Sequence, residues 1–302
     1  MRISFLLSLL FISLTATAQT SHHVATDYGN LYYQTFGGGP DTLLIINGGP
    51  GVDSEGFAEL AGNLGQYAFS IIYDQRGTGK STAKHINAET ITMDLMVEDI
   101  ETLRKELGIK DWVVFGQSFG GMLGSYYTSK HPERVEGMIL SASGGIDLEN
   151  FSQVNVLGKL TTKQRREYDY WTGQIDNGDT SFHALHEMAK SLATAYLYHD
   201  KKEHVEAIGL RLTQANMEVN GLVHNNMRSM PFDCKPALRN FQKPVLILQG
   251  TEDILPLEIA RNTHAILPNS KLVWLEECAH YGWLEKRETY FSEISMFLDQ
   301  VG

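Results

Sequence analysis

The chain has 302 residues, 42% hydrophobic and 20% charged, which suits one large α/β domain or two smaller ones. Its formal charge is -11 with no run of lysine or arginine, which argues against nucleic acid or an anionic membrane surface as a partner. Two cysteines, Cys234 and Cys278, exclude a disulfide scaffold and leave open one bridge or two separate buried thiols.

Residues 1–18 read as a secretory signal. Arg2 supplies the positive end, residues 3–14 are apolar but too short to span a bilayer comfortably, and Ala16-Thr17-Ala18 forms a cleavage site. No second apolar segment follows. The expectation is an exported protein, periplasmic or extracellular, with no stable membrane insertion once the signal is removed.

Strand-length apolar runs then recur, each closed by glycine or a polar turn: "LYYQTFG" from 31, "TLLIINGG" from 42 and "FSIIYDQRG" from 69. Consecutive apolar positions are the mark of strands covered on both faces. Residues 91–107 predict a helix with Ile91, Leu95, Ile100, Leu103 and Leu107 on one face and Gly108 as its stop. "WVVFGQS" from 112 and "GMILSASGG" from 137 resume the strands. Such alternation predicts a mostly parallel, doubly wound sheet over residues 19–145 and 241–302.

Residues 146–240 break the alternation. They lack strand-like runs, are rich in helix formers, and predict a helical cap inserted between two strands. Tyr168, Tyr170, Trp171, Tyr196 and Tyr198 could line a pocket there, though packing within the cap accounts for most of them. His183 and His186 could face one metal ion, but no third ligand is evident, so neither a metal nor any other cofactor is expected. After the cap come "PVLILQGTED" from 244, "KLVWLEECAH" from 271, and a helix over 285–301 with Tyr290, Ile294, Phe297 and Leu298 on one face.

The chemistry gathers at strand ends. Gly116-Gln117-Ser118-Phe119-Gly120 follows a strand and precedes a helix, the setting in which a sharp turn lifts a serine hydroxyl out beyond the sheet. A serine nucleophile needs a base and a carboxylate to orient it. His280 and Asp253 follow the last two strands, with Glu252 and Glu277 as competing carboxylates. The order Ser118, Asp253, His280 is that of an α/β-hydrolase. Backbone amides of Gly49, in "NGGPG", and Phe119 are candidate donors to a developing oxyanion. "RGTGKS" at 76–81 lacks the first glycine of a phosphate loop, where Asp74 stands, so Asp74 and Arg76 are read as holding their own loop.

In sequence, "NGGPG", "YDQRGTGKS", "GQSFGG", "HPERV", "GTED" and "ECAH" make the chain resemble the prolyl aminopeptidases, or proline iminopeptidases, of the α/β-hydrolase superfamily. The resemblance covers about residues 28–145 and 243–300. It implies that Ser118, Asp253 and His280 are a triad, that Gly49 and Phe119 supply the oxyanion amides, and that an N-terminal residue, often proline, is removed from short peptides without a metal. There are departures. Asn47 stands where the family usually has histidine. Ile254 occupies the place of one amine-binding acid, and "NMEVNGLVHNNMRSM" replaces the usual cap motif and carries Arg228, leaving Glu218 as the nearest amine-binding candidate. The leading expectation is therefore an exported serine aminopeptidase acting on small peptides. The alternatives are a carboxylesterase or other small acyl hydrolase, and a non-catalytic binding protein on the same fold.

Overall fold

The computed structural model describes residues 19–199 and 201–301. The signal sequence expected over residues 1–18 lies outside the described residues.

The sheet strands are β1 (Thr20–Thr26), β2 (Gly29–Phe36), β3 (Thr42–Ile46), β4 (Phe69–Tyr73), β5 (Thr82–Ala83), β6 (Trp112–Gln117), β7 (Val135–Ser141), β8 (Val245–Gly250) and β9 (Ser270–Leu275). Their order is β1-β2-β4-β3-β6-β7-β8-β9, with β5 paired to β2. From β4 to β9 across the sheet every pairing is parallel. The antiparallel pairings are those of β2 with β1, β4 and β5. The edge strand β1 carries no apolar run that could announce it; Val24 is its one buried residue, and backbone pairing to β2 holds it.

The helices are α1 (Ala58–Leu64), α2 (Met93–Glu106), α3 (Phe119–Lys130), α4 (Thr162–Asp176), α5 (Phe182–Ala193), α6 (Lys202–Thr213), α7 (Met217–Ser229), α8 (Lys235–Leu238), α9 (Leu257–Ile266), α10 (Gly282–Glu285) and α11 (Arg287–Val301). Side chains alternate across a strand, so β3 sends Leu43 and Ile45 into one core and Leu44 and Ile46 into the other. The first core is closed by α1 and α11, the second by α2, α3 and α9. This explains why the strands read as unbroken apolar runs. The helix expected over 285–301 is divided: Lys286 leaves the helical region at φ -129° and ψ 48°, separating α10 from α11.

Between β7 and β8 the chain adds α4 to α8 and no strand of the sheet. The base of this insertion is pinned where the Cys234 amide donates to the Ile146 carbonyl at 2.8 Å and Lys235 pairs with Asp147 at 3.0 Å. Cys234 and Cys278 are both free, buried thiols, and burial pushes Cys234 up to about 12. Among the described residues no helix is long and apolar enough to cross a membrane.

The buried arginines Arg76 and Arg104 pair with carboxylates. The Arg76 guanidinium grips Asp99 through two 2.7 Å bonds, which anchors the loop after β4 to α2. Arg104 holds both oxygens of Glu101, and the Tyr127 hydroxyl adds a third bond at 2.8 Å. Burial raises the Glu101 pKa, but the bonds from Arg104 and Tyr127 outweigh it and bring it down to about 2 from 4.5. A depressed carboxylate stabilises the fold fully above its unfolded value and loses that contribution as pH falls through its folded one. Wild-type stability to urea should therefore decline between pH 4.5 and about 2. Glu101→Gln should be less stable at pH 7 and decline less over that window; parallel curves would remove Glu101 from the acid response.

Candidate active site

Ser118 sits between β6 and α3 with φ 55° and ψ -120°, a backbone region that a residue with a side chain avoids at a cost of about 1–3 kcal/mol. The surroundings impose it. The Ser118 amide donates to the Ser141 carbonyl at 3.1 Å, and the Ser118 carbonyl accepts from the amides of Gly121 and Gly144 at 3.0 Å each. Strand and helix also approach too closely for side chains at the flanking glycines: a Cβ on Gly116 would lie 2.4 Å from the Gly120 carbonyl oxygen, and one on Gly120 would lie 2.0 Å from that of Ile46. The hydroxyl is thus presented at the carboxyl edge of the sheet, and Ser118 is half-buried there.

His280 arrives at the same edge from the loop after β9. Its amide donates to the Tyr196 carbonyl at 3.1 Å, and its ring packs edge-on to Tyr196 and Tyr281. Its Nδ1 lies 2.8 Å from Asp253 Oδ1, and both side chains are almost fully buried. A carboxylate only accepts, so Nδ1 carries the hydrogen and Nε2 keeps its lone pair. Asp253 is itself held: Gln249 donates to Oδ2 at 2.7 Å and the Leu255 amide to Oδ1 at 3.3 Å. The competing carboxylates are elsewhere. Glu252 is exposed, and Glu277 faces solvent and pairs with Lys286.

Ser118 and His280 line one cavity of about 190 Å³, together with Gly49 and Phe119. Among the described residues neither the Gly49 nor the Phe119 amide has a protein acceptor. Phe119 also opens α3, whose N-terminal dipole favours negative charge. A serine, a histidine held by a buried carboxylate and two unpaired amides around one space have the parts for acyl transfer.

The apolar wall comes from both parts of the chain, with Met122, Ile254 and Leu255 from the sheet domain and Phe151, Val154 and Leu212 from the insertion. Glu218 does not belong to it. It occupies the first turn of α7 on the solvent face, exposed, because Val219 and Val223 take the buried face. The amine-binding expectation for Glu218 is therefore corrected. Among the described residues that line the cavity none is aspartate or glutamate, while Arg211 contributes a guanidinium. Of the aromatic residues singled out between 168 and 198, Tyr196 lines the cavity. His183 is exposed, and the His186 ring nitrogens lie 3.1 Å from Thr213 and 2.8 Å from Glu206. Among the described residues no group of three or more possible ligands converges on a metal position.

Arg211, Asn220 and His224 are lining residues that pattern reading did not single out. They lie on α6 and α7, and no motif distinguishes them from ordinary polar helix residues. Burial, and after it the Arg228 charge, lowers the His224 pKa, so this wall presents a neutral imidazole at pH 7.

The alpha/beta hydrolase fold profile matches residues 41–287, most of the chain. The chain belongs to the alpha/beta hydrolase fold family. Within it, this hydrolase is 25% identical over 273 residues to the proline iminopeptidase of Lactobacillus helveticus (strain DPC 4571), covering 85% of this chain and 90% of that protein. Two solved structures share its fold. The proline iminopeptidase of Mycobacterium smegmatis superposes with a TM-score of 0.71 at 21% identity, covering 93% of this chain and 98% of that one. The esterase from Exiguobacterium antarcticum gives 0.71 at 18%, covering 93% and 100%. The hydrolase is thus similar to both a peptidase and an esterase in its backbone, and its cavity must decide between their chemistries.

Proposed function

We propose that this hydrolase is a serine enzyme that cleaves small, largely apolar acyl compounds through an acyl-enzyme. The observation that carries the choice of substrate is the cavity lining, which is largely apolar, carries one guanidinium beside neutral polar groups such as Asn220, and has no carboxylate among the described residues. A free ammonium group brought into such a space loses hydration with no charge to replace it.

In the first step the Ser118 Oγ bonds to the substrate carbonyl carbon as its proton passes to Nε2 of His280. The carbonyl electron pair moves to oxygen, where the Gly49 and Phe119 amides stabilise the charge. As the tetrahedral species collapses, the bond to the leaving alcohol or amine breaks and that group takes the proton from His280. Water then attacks the acyl-serine by the same route, giving the acid and restoring Ser118. Asp253 keeps the imidazole in the required tautomer and stabilises its cation without taking the proton.

A second reading, an aminopeptidase for N-terminal residues, is supported by the likeness to the Lactobacillus helveticus protein. The two are separated by rates on p-nitrophenyl butyrate, prolyl p-nitroanilide and N-acetylprolyl p-nitroanilide. The first reading expects ester hydrolysis well above either anilide. Rapid cleavage confined to the free-amine anilide would overturn it in favour of the second.

A further inference from the structure

The loop Asn47–Gly51 has all its carbonyls engaged, and the helical insertion engages three of them. Arg211 Nη2 on α6 donates to the Gly48 carbonyl at 2.9 Å, the Asn220 side chain on α7 donates to that of Pro50 at 2.8 Å, and the Asn216 amide donates to that of Gly51 at 2.7 Å. The sheet domain takes the remaining two: Gln75 donates to the Asn47 carbonyl at 2.9 Å and the Val52 amide to that of Gly49 at 3.0 Å. The Gly48 carbonyl matters most, because it shares one planar peptide unit with the Gly49 N–H. In a trans unit the two point in opposite directions, so fixing the oxygen aims the N–H. A positive donor on the oxygen also draws electron density from the unit and makes its N–H a stronger donor. The Asn47 side chain reaches the same oxygen, but at 3.2 Å and without charge.

Packing also holds the guanidinium. Its carbon lies 4.8 Å from the centre of the Phe57 ring, and its stem and Nε pack over Gly56. Arg211 Nε is buried with no protein partner among the described residues, while Nη2 holds the Gly48 carbonyl and the group also faces the Tyr281 hydroxyl and the Asp53 carboxylate.

We propose that Arg211 is a positioning residue: from the helical insertion it orients and polarises the Gly48–Gly49 peptide, so that the oxyanion donor of the sheet domain is complete only with the insertion docked. This rests on the serine hydrolase reading above. It makes the insertion part of the catalytic apparatus as well as a wall of the cavity.

The test is the rate at which a p-nitrophenyl alkylphosphonate labels Ser118 in wild type, Arg211→Met, Arg211→Gln and Arg211→Lys of the full chain. Phosphonylation drives charge onto an oxygen in the same position and so reads the donor peptide without a known substrate. Thermal melts and the kcat and KM for p-nitrophenyl butyrate accompany it. Losing an oxyanion donor outright costs about a hundredfold to a thousandfold, and weakening one should cost less, so Arg211→Met is expected to label about 10- to 100-fold more slowly. The fall in kcat should follow the fall in labelling, with KM little changed, and Arg211→Lys should recover part of both. Folded Arg211→Met that labels at the wild-type rate, or that loses only KM, would overturn the proposal. If Arg211→Met does not fold, Arg211→Gln decides by the same criterion. Wild type that takes no phosphonate defeats the serine hydrolase reading and this proposal with it; wild type labelled at Ser118 beside an unimpaired Arg211 variant defeats this proposal alone.

Discussion

Ser118→Ala is expected to lower kcat by about ten-thousandfold or more while leaving the thermal melt nearly unchanged, and to abolish phosphonate labelling. The small effect on stability follows from the local structure. The strained turn is held by backbone bonds to Ser141, Gly121 and Gly144, none of which needs the hydroxyl. The alanine chain would occupy the same backbone, with the Gly49 and Phe119 amides still open to the cavity. Residual acceleration from those donors and from substrate binding would be all that remains. The measurement is a progress curve on whichever ester proves the better substrate, beside intact-mass detection of the phosphonate adduct. Hydrolysis that persists undiminished in the purified variant would remove Ser118 as the nucleophile, whatever the shape of the turn suggests.

Asp253→Asn should cost about ten-thousandfold in kcat with little loss of fold, because the network around the carboxylate dictates which way the new amide faces. Gln249 donates to Oδ2 and also to the Gly250 carbonyl, so its amide group cannot turn over without setting its own oxygen against that carbonyl. The asparagine oxygen then keeps the shorter 2.7 Å bond from Gln249, which leaves its NH2 against Nδ1 of His280 and gives up the longer 3.3 Å bond from the Leu255 amide. Donating there requires Nδ1 to give up its hydrogen, and the ring moves to the tautomer with hydrogen on Nε2. That tautomer cannot receive the Ser118 proton. The expected signature is a large fall in kcat and in phosphonylation rate, relieved at high pH as the unwanted Nε2 hydrogen becomes easier to lose. A variant with ordinary rates would mean that another group orients His280. Glu252 and Glu277 are poor replacements, being exposed to solvent.

These two variants probe parts of the site that the bare sequence already contained. Gly116-Gln117-Ser118-Phe119-Gly120 lies between an apolar run and a helix of small residues, and parallel strands deliver all their carboxyl ends to one edge. Once β6, β8 and β9 are recognised as neighbours in one parallel sheet, Ser118, Asp253 and His280 have no other edge to occupy. Long-range order was thus legible because the sheet propagates it. Strand identity was legible for a related reason: a strand buried on both faces must be apolar at successive positions, as Leu43 to Ile46 are. The edge strand β1 obeys no such constraint and left no pattern to read.

The cavity was a different matter. A helix on a surface has an apolar face that periodicity reveals, but its polar residues look alike whether they meet water or a carbonyl. Nothing local separates Glu218, which points to solvent, from Arg211, which reaches the Gly48 peptide. The distinction is made by how α6 and α7 are rotated against the sheet domain, a rigid-body matter set by contacts such as Asn216 to Gly77 and Asn220 to Pro50. Sequence by itself determined the buried strands of the sheet, the turn and the order of the chemical groups, because each is imposed by backbone geometry or by burial along the chain. Only the tertiary structure decided which charges enter the cavity, because that depends on the docking of separate elements whose polar faces carry no periodic signal.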